Sequence, residues 1–172
     1  DLTARLGVMP SVPDLGLDAF DVLPGGEIVF SLEQDVFSES LGALQHGDLL
    51  SNQGRIVARN QNLMNAFVIM PPVPDLGLDA VQVLDSGEIL FSIESEIFSG
   101  TSGLLRRGDL LSNRGGVVRT HDALLARFHP PPIPHDYGLD AIFVWPEGEI
   151  WFSLEEGFTD DILGPILPGD LL

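Results

Sequence analysis

An internal repeat is the feature that most constrains how this chain can fold. The segment PDLGLDA begins at Pro13 and again at Pro74, and HDYGLDA begins at His135, so the period is 61 residues in both cases and no gap is needed. The shared frame reads GLDA, then GEI and F-S-x-E, and then GDLL. A period of this length is typical of architectures in which each unit buries its apolar faces against its neighbours.

The repeat divides the 172 residues into four segments of one structural domain. Residues 13–73 form the first unit, residues 74–134 the second and residues 135–172 a shorter third, while residues 1–12 align with the tail of a preceding repeat. The frame therefore starts and stops inside a unit. We expect either a second copy of the chain or a longer array to supply the missing strand, because an unpaired strand edge favours association.

Each unit carries the signals of several short strands. Residues 17–23 are rich in strand formers and precede a Pro-Gly-Gly turn, and residues 27–33 alternate, so the two segments are predicted to pair as a hairpin. Residues 34–46 differ most between copies and are predicted to form a surface loop. Further strands are expected at 48–51 and 55–58, and the apolar segment at 63–67 fits either a helical turn or an outer strand.

About four short strands per unit predict an all-β fold of tandem 61-residue blade-like repeats, in the manner of a β-propeller. The alternative is a threefold β-trefoil-like body. The pattern GLDAVQVLDSGEILFSIES…GDLLSNRGGVV resembles repeats of uncharacterised secreted bacterial proteins, of the form LDAL-x-VLPNG-x-LLFS…DL, and more loosely blades of SMP-30/NHL-type β-propellers. This resemblance implies a blade-like fold and an extracellular or periplasmic location, and it transfers no catalytic residue.

The composition narrows the range of partners. The chain has 26 acidic residues against 8 basic ones, all of them Arg, for a net charge of -18. Such a surface repels phosphate backbones and anionic lipid, so we expect no nucleic-acid partner. No apolar run is long enough to span a bilayer, so no membrane insertion is expected. The absence of Cys excludes disulfides, thiolate catalysis and Cys-ligated zinc.

Carboxylates that recur in every unit are the candidate metal ligands, and calcium is the cofactor that such hard oxygen donors suit. The Asp of GLDA belongs to this group. One Glu at the end of the second strand and one Asp in GDLL bracket the variable loop, so we expect them to meet over one ion per unit. These candidates are Glu33, Asp48, Glu94, Asp109, Glu155 and Asp170. The alternative is that the carboxylates cap turns by accepting backbone N–H bonds.

The third unit differs from the others in its aromatic side chains. The candidate ligand-binding residues are Tyr137, Phe143, Trp145 and Trp151, which stand where the first unit has Leu15, Asp21, Leu23 and Val29. Rings beside carboxylates can hold a glycan or a protein, because rings bury a large area and acids bond hydroxyl groups. The same rings could instead pack at a junction between blades or between chains.

No catalytic motif is present, and the four histidines are not repeated, so the sequence predicts that the chain is not an enzyme. The favoured function is a non-catalytic extracellular scaffold that binds proteins or self-assembles into a homo-oligomer through its incomplete terminal repeats. The alternative is a carbohydrate-binding module, with calcium assisting the contact to a glycan.

Overall fold

The computed structural model describes residues 3–8, 14–73, 75–131 and 135–172. The predicted tail at residues 1–12 and the unit boundaries at 13, 74 and 134 fall partly or wholly outside these residues. The described chain consists of short β-strands in small antiparallel sheets, with two short α-helices and two 3-10 turns. The all-β prediction is confirmed.

The first unit contains six strands, one short α-helix and one 3-10 turn. The strands are β1 (Phe20–Val22), β2 (Ile28–Phe30), β3 (Val36–Ser38), β4 (Gly42–Leu44), β5 (Leu49–Ser51) and β6 (Arg55–Ala58), followed by α1 (Asn60–Leu63) and a 3-10 turn at Asn65–Phe67. Strands β1, β2, β5 and β6 make the first sheet in the order β1-β2-β5-β6. The apolar segment at 63–67 thus belongs to helical turns, which settles the choice left open by its spacing.

The second unit repeats this order, and the third repeats its first four strands. The strands are β7 (Val81–Val83), β8 (Ile89–Phe91), β9 (Ile97–Ser99), β10 (Gly103–Leu105), β11 (Leu110–Ser112), β12 (Val117–Arg119), β13 (Ala141–Val144), β14 (Ile150–Ser153), β15 (Phe158–Asp160) and β16 (Gly164–Ile166), with α2 (His121–Leu124) and a 3-10 turn at Leu125–Arg127 after β12. The second sheet has the order β7-β8-β11-β12, and the third sheet pairs β13 with β14. Because each sheet forms within one unit, the blade-like architecture is confirmed over the trefoil-like alternative.

The predicted hairpin forms in every unit, and the predicted loop does not stay irregular. Strands β1 and β2 pair antiparallel with Phe20 opposite Phe30. Within residues 34–46, β3 and β4 form a second hairpin, whose turn is held by the hydroxyl of Ser38 accepting the backbone N–H of Ser40 (3.2 Å) and Leu41 (2.9 Å). These strands have three residues each, which is too short for an alternating apolar pattern to reveal them.

Neighbouring sheets pack face to face, and the second sheet is buried on both of its faces. In β2, Phe30 lies in a core with Leu6 and Leu50, whereas the adjacent Val29 lies in the core shared with the second sheet. A third core lies between the second and third sheets. The alternation in residues 27–33 places Val29 on the same face as Glu27 and Ser31, and Val29 is buried there because the next sheet covers that face.

The serine of F-S-x-E holds adjacent sheets together. The Ser31 hydroxyl accepts the N–H of Ala19 at 2.8 Å within its own sheet and donates to the carbonyl of Leu78, at 3.0 Å, in the second unit. Ser92 donates to the carbonyl of Leu139 in the third unit at the same distance. Both hydroxyls are buried, so the repeat of this residue follows from packing between sheets.

The glycine of GLDA recurs because a side chain would collide there with the glutamate of the same unit. Gly77 has a φ of +74°, and a Cβ on it would overlap the carboxyl group of Glu94. Gly16 and Gly138 have the same conformation and the same relation to the glutamates of their own units. The glycine therefore lets the glutamate lie over the backbone that leads into the first strand.

Gly77→Ala should destabilise the fold more than Gly87→Ala. Both glycines have a positive φ, +74° and +75°, so both substitutions carry a conformational cost of about 1–2 kcal/mol. Only the alanine at 77 must also displace Glu94, since nothing lies within 4 Å of a Cβ at Gly87. Urea unfolding of the two variants measures the difference, and equal losses would show that the glutamate does not need this glycine.

Candidate metal centre

The first strands of the three sheets lie side by side and bring the GLDA aspartates together. Strand β7 contacts both β1 and β13. The three strands line a groove of about 520 Å³, and the aspartate that precedes each strand lies at its end. These aspartates are Asp18, Asp79 and Asp140.

The recurring glutamate reaches the same place from the second strand. Since β1 and β2 run antiparallel, the residues just before β1 lie beside those just after β2, and the same holds for β7 and β8. Asp18, Asp79 and Glu94 each place one carboxylate oxygen within 4.8 Å of the other two. We call these three residues the carboxylate cluster. It draws ligands from two units, whereas the sequence predicted one ion within each unit.

The charges and the burial of these groups raise their pKa values. Burial raises the pKa of Asp79 to about 9, and the carboxylates of Glu155 and Asp18 add to the shift. Burial, followed by the charges of Glu94 and Glu33, raises the pKa of Asp18 to about 7. The cluster therefore retains protons at neutral pH, in a region where several acids converge.

Some oxygen atoms here lie buried without a hydrogen-bond partner among the described residues. Asp79 is only 7% exposed, and its Oδ2 atom is one of them. Asp18 Oδ2 and Glu155 Oε1 are in the same state. A hydrogen bond between the carboxyl groups of Asp79 and Glu155 adds to the rise in the pKa of Asp79, so the two groups can share its proton. A cation bound to these oxygens would take the place of that proton.

Two basic side chains lie beside the cluster, at corresponding positions of the first two units. Arg107 donates to Glu155 at 3.1 Å and to Glu156 at 3.1 Å. His46 has the same place in the first unit, where its ring is 2.9 Å from Asp35, and its charge acts on Glu94. Arg107 thus occupies one oxygen of Glu155 and leaves Oε1 free.

The predicted GDLL aspartates do not join the cluster but cap turns in their own units. The carboxylate of Asp48 accepts the backbone N–H of Gln45 at 3.0 Å and of Asn60 at 3.2 Å, and it pairs with Arg59. Equivalent backbone bonds reach Asp109 from Arg106 and His121, and Asp170 from Leu167. Of the predicted metal ligands, only Glu94 lies in the carboxylate cluster. The charges of Glu155 and Glu33 raise the pKa of Asp18, and the three GDLL aspartates cap turns.

The expected pairing overlooked the GLDA aspartates as partners of the glutamates. The signal was available in the hairpin itself: pairing residues 17–23 with 27–33 in antiparallel order places the start of one segment beside the end of the other. That register brings Asp18 to the same end of the sheet as Glu33.

Three of the four candidate ligand-binding aromatic residues lie together. Phe143 is directly opposite Trp151 in the third sheet, and Trp145 lies 4.8 Å from Phe143 and 5.2 Å from Trp151 between ring centroids. All three are partly exposed. Tyr137 is buried instead, with its ring 4.9 Å from that of Phe158, so it is part of the core between the second and third sheets.

Comparison with solved structures finds enzymes among the similar folds. Virginiamycin B lyase from Staphylococcus aureus has a TM-score of 0.36 and 14% identity, over 97% of this chain and 43% of that one. A streptogramin B lyase has a TM-score of 0.35 and 19% identity, over 94% of this chain and 41% of that one. A protein of unknown function from Bacteroides caccae has a TM-score of 0.35 and 8% identity, over 91% of this chain and 60% of that one. This chain therefore spans less than half the length of either lyase.

The likeness to these structures is loose, with TM-scores below 0.5, and the blade-like fold rests on the sheets of this chain itself. The expectation that the chain is not an enzyme is withdrawn, because two of the similar structures are lyases. No known protein family and no curated protein matches the sequence. Across the part of the chain that the structure describes, no helix has the length and apolar character needed to cross a membrane.

The stability of the metal-free protein should fall as the pH rises from about 5 to about 9. The native state raises the carboxyl pKa values of Asp18 and Asp79 above those of the unfolded chain, so it binds more protons in this range and loses stability as they leave. Asp79→Asn keeps the shape without the charge, and it should make the decline shallower. Urea unfolding in EDTA at several pH values measures the slope.

Asp85→Asn is the matched control for this experiment, because it removes one carboxylate from an exposed turn in the same unit. It should leave the slope close to that of the unsubstituted protein. A slope that Asp79→Asn and Asp85→Asn change equally would mean that the decline reflects net charge and not the cluster.

Proposed function

We propose that the protein is a calcium-binding module whose ion is held by Asp18, Asp79 and Glu94, with Glu155 as a further ligand. The observation that carries this proposal is the buried Asp79 carboxylate, which converges with the carboxylates of Asp18 and Glu94 within 4.8 Å. Removing a carboxylate from water without a partner is costly, and a divalent cation offsets that cost.

The donor set and its spacing support calcium. Calcium binds six to eight oxygens at about 2.3–2.6 Å, so two ligand oxygens of one ion lie up to about 5 Å apart. The three cluster oxygens lie within 4.8 Å of one another, which is inside this limit. Magnesium requires near-octahedral ligands at about 2.0–2.1 Å and retains several waters, so a wider all-carboxylate arrangement suits it less well.

The ion would face the groove between the first strands. The GLDA aspartates line this groove of about 520 Å³, and the residues beyond them are mostly apolar. Three or four carboxylates leave coordination positions for water or for oxygen atoms of a bound molecule. The module would then bind its ligand through the ion, which makes ligand binding depend on calcium.

The proposal includes a place among secreted bacterial repeat proteins, with an extracellular or periplasmic location. The support is the recurring frame from GLDA to GDLL, together with the net charge of -18. A calcium site of moderate affinity suits such a location, because extracellular modules bind calcium in the range of about 10⁻⁴–10⁻³ M.

Calcium should raise the melting temperature of the protein, and Asp79→Asn should abolish most of that effect. At about 10 times its Kd, which is about 1 mM for a Kd of about 10⁻⁴ M, the ion stabilises the native state by about 1.4 kcal/mol. The measurement is thermal unfolding at about pH 8 in EDTA and then with millimolar calcium, and Asp85→Asn should keep the full shift. A shift that persists in Asp79→Asn, or no shift in the unsubstituted protein, would refute the site.

Calcium binding should also release protons at neutral pH. Because burial raises the pKa of Asp79 to about 9, the ion must displace the proton that this carboxyl carries at pH 7. The apparent affinity should therefore increase between about pH 6 and pH 9. Titration calorimetry in two buffers of different ionisation enthalpy counts the released protons, and no buffer dependence would contradict the assignment of Asp79 as a ligand.

A further inference from the structure

A polar side chain in each of the first two units joins its sheet to the next one. Asp21 accepts the backbone N–H of Val83 through Oδ2 at 2.8 Å. Gln82, 61 residues later, accepts the N–H of Val144 at 2.7 Å and donates to its carbonyl at 3.1 Å. The residue at the same position of the third unit is Phe143, which can make neither bond.

The first strand of the first unit needs no such bond from a neighbour. Val22 corresponds to Val83 and Val144, but its N–H is already bonded at 2.8 Å to Oδ1 of Asp21, the residue before it. The third sheet thus has Phe143 on its free face, where the other sheets have a side chain that accepts an N–H of the next sheet. On the free face of the first sheet, the corresponding N–H of Val22 already has an acceptor. The two free faces are complementary in this respect.

The free face of the third sheet carries large exposed rings where the other units have buried aliphatic side chains. Trp151 is 40% exposed, whereas Val29 and Leu90 at the same position are 0% and 3% exposed between sheets. Phe143 and Trp145 adjoin it. We call Phe143, Trp145 and Trp151 the aromatic face.

The opposite free face, on the first sheet, is apolar as well. Phe20 is 57% exposed and Val22 is exposed beside it on β1. At the positions equivalent to Phe20, Val81 is 3% exposed in the core between the first two sheets, and Ile142 packs in the core between the second and third. In both cases the preceding sheet covers the side chain. We call Phe20 and Val22 the first-strand face.

We propose that two copies of this chain associate by packing the aromatic face of each on the first-strand face of the other. The junctions within the chain show this geometry twice, since a first-strand face packs on the preceding sheet at both of them. By that pattern Phe143 meets Val22, as Gln82 meets Val144. Two copies bring together six sheets, which is within the 4–8 blades of closed propellers.

The serine that bonds to the next unit at the other junctions is bonded within its own unit in the third sheet. Ser31 and Ser92 donate to carbonyls of the next unit, whereas the equivalent Ser153 donates to Asp140 of its own unit at 2.7 Å. Apolar rings therefore replace hydrogen bonds at this junction. Because each copy carries a charge of -18, added salt should strengthen the association by screening their repulsion.

Sedimentation velocity at about 150 mM and 500 mM NaCl tests the proposal. The unsubstituted protein should show a species of twice the 18.6 kDa chain mass, with a larger fraction at high salt. Phe20→Asp and Trp151→Asp should each shift the protein to the monomer. An equimolar mixture of the two variants should regain part of the dimer, because one junction of the mixed pair joins two intact faces, whereas neither variant alone can form an intact junction.

Phe37→Asp is the matched control, since Phe37 is an exposed ring on the β3–β4 hairpin outside both faces, and this variant should dimerise normally. Circular dichroism melting verifies that each variant is folded, and Phe143→Asp replaces Trp151→Asp if the latter unfolds. A monomer at all concentrations would overturn the proposal. So would a dimer that Phe20→Asp leaves intact, or tryptophan fluorescence that responds to oligosaccharides in a protein that stays monomeric.

Discussion

The packing of sheets on both of their faces is the constraint on which the rest of this structure depends. The second sheet contributes to a core on each of its sides, and in β2 of the first sheet the adjacent Val29 and Phe30 are both fully buried, in different cores. A unit of this kind cannot bury its apolar side chains alone, so its stability comes from its junctions with neighbours. The invariant period of 61 residues keeps those junctions in register.

The same packing determines where the acidic groups lie. When the first strands of successive units stand side by side, the residue before each strand must also approach its equivalents. The glycine two residues earlier lets the glutamate of the unit lie over the backbone at this end. Carboxylates spaced far apart in the sequence therefore converge, and burial raises the pKa values of Asp18 and Asp79. The same convergence of carboxylates that destabilises the fold also places three of their oxygens within 4.8 Å of one another.

The sequence predicted the parts of the fold that repeat and missed those that depend on contacts between units. The period, the β1–β2 hairpin and the strands β5 and β6 followed from alternation and turn residues. The β3–β4 hairpin did not, because its three-residue strands show no apolar pattern and its turn depends on the Ser38 hydroxyl. The glutamates were identified as candidate ligands but paired with Asp48 and its equivalents, which their own turns occupy. Inspecting one unit in isolation could not reveal that Glu94 meets an aspartate of another unit.

The basic residues beside the cluster make the two junctions chemically unequal. His46 and Arg107 occupy corresponding positions next to Glu94 and Glu155. The guanidinium keeps its charge throughout the physiological range, whereas the imidazole loses its charge as the solution becomes alkaline. The glutamates of the second and third units therefore differ in whether the positive charge beside them persists as the pH rises. Alkalinity therefore breaks the pseudosymmetry of the repeat electrostatically while its backbone geometry stays the same.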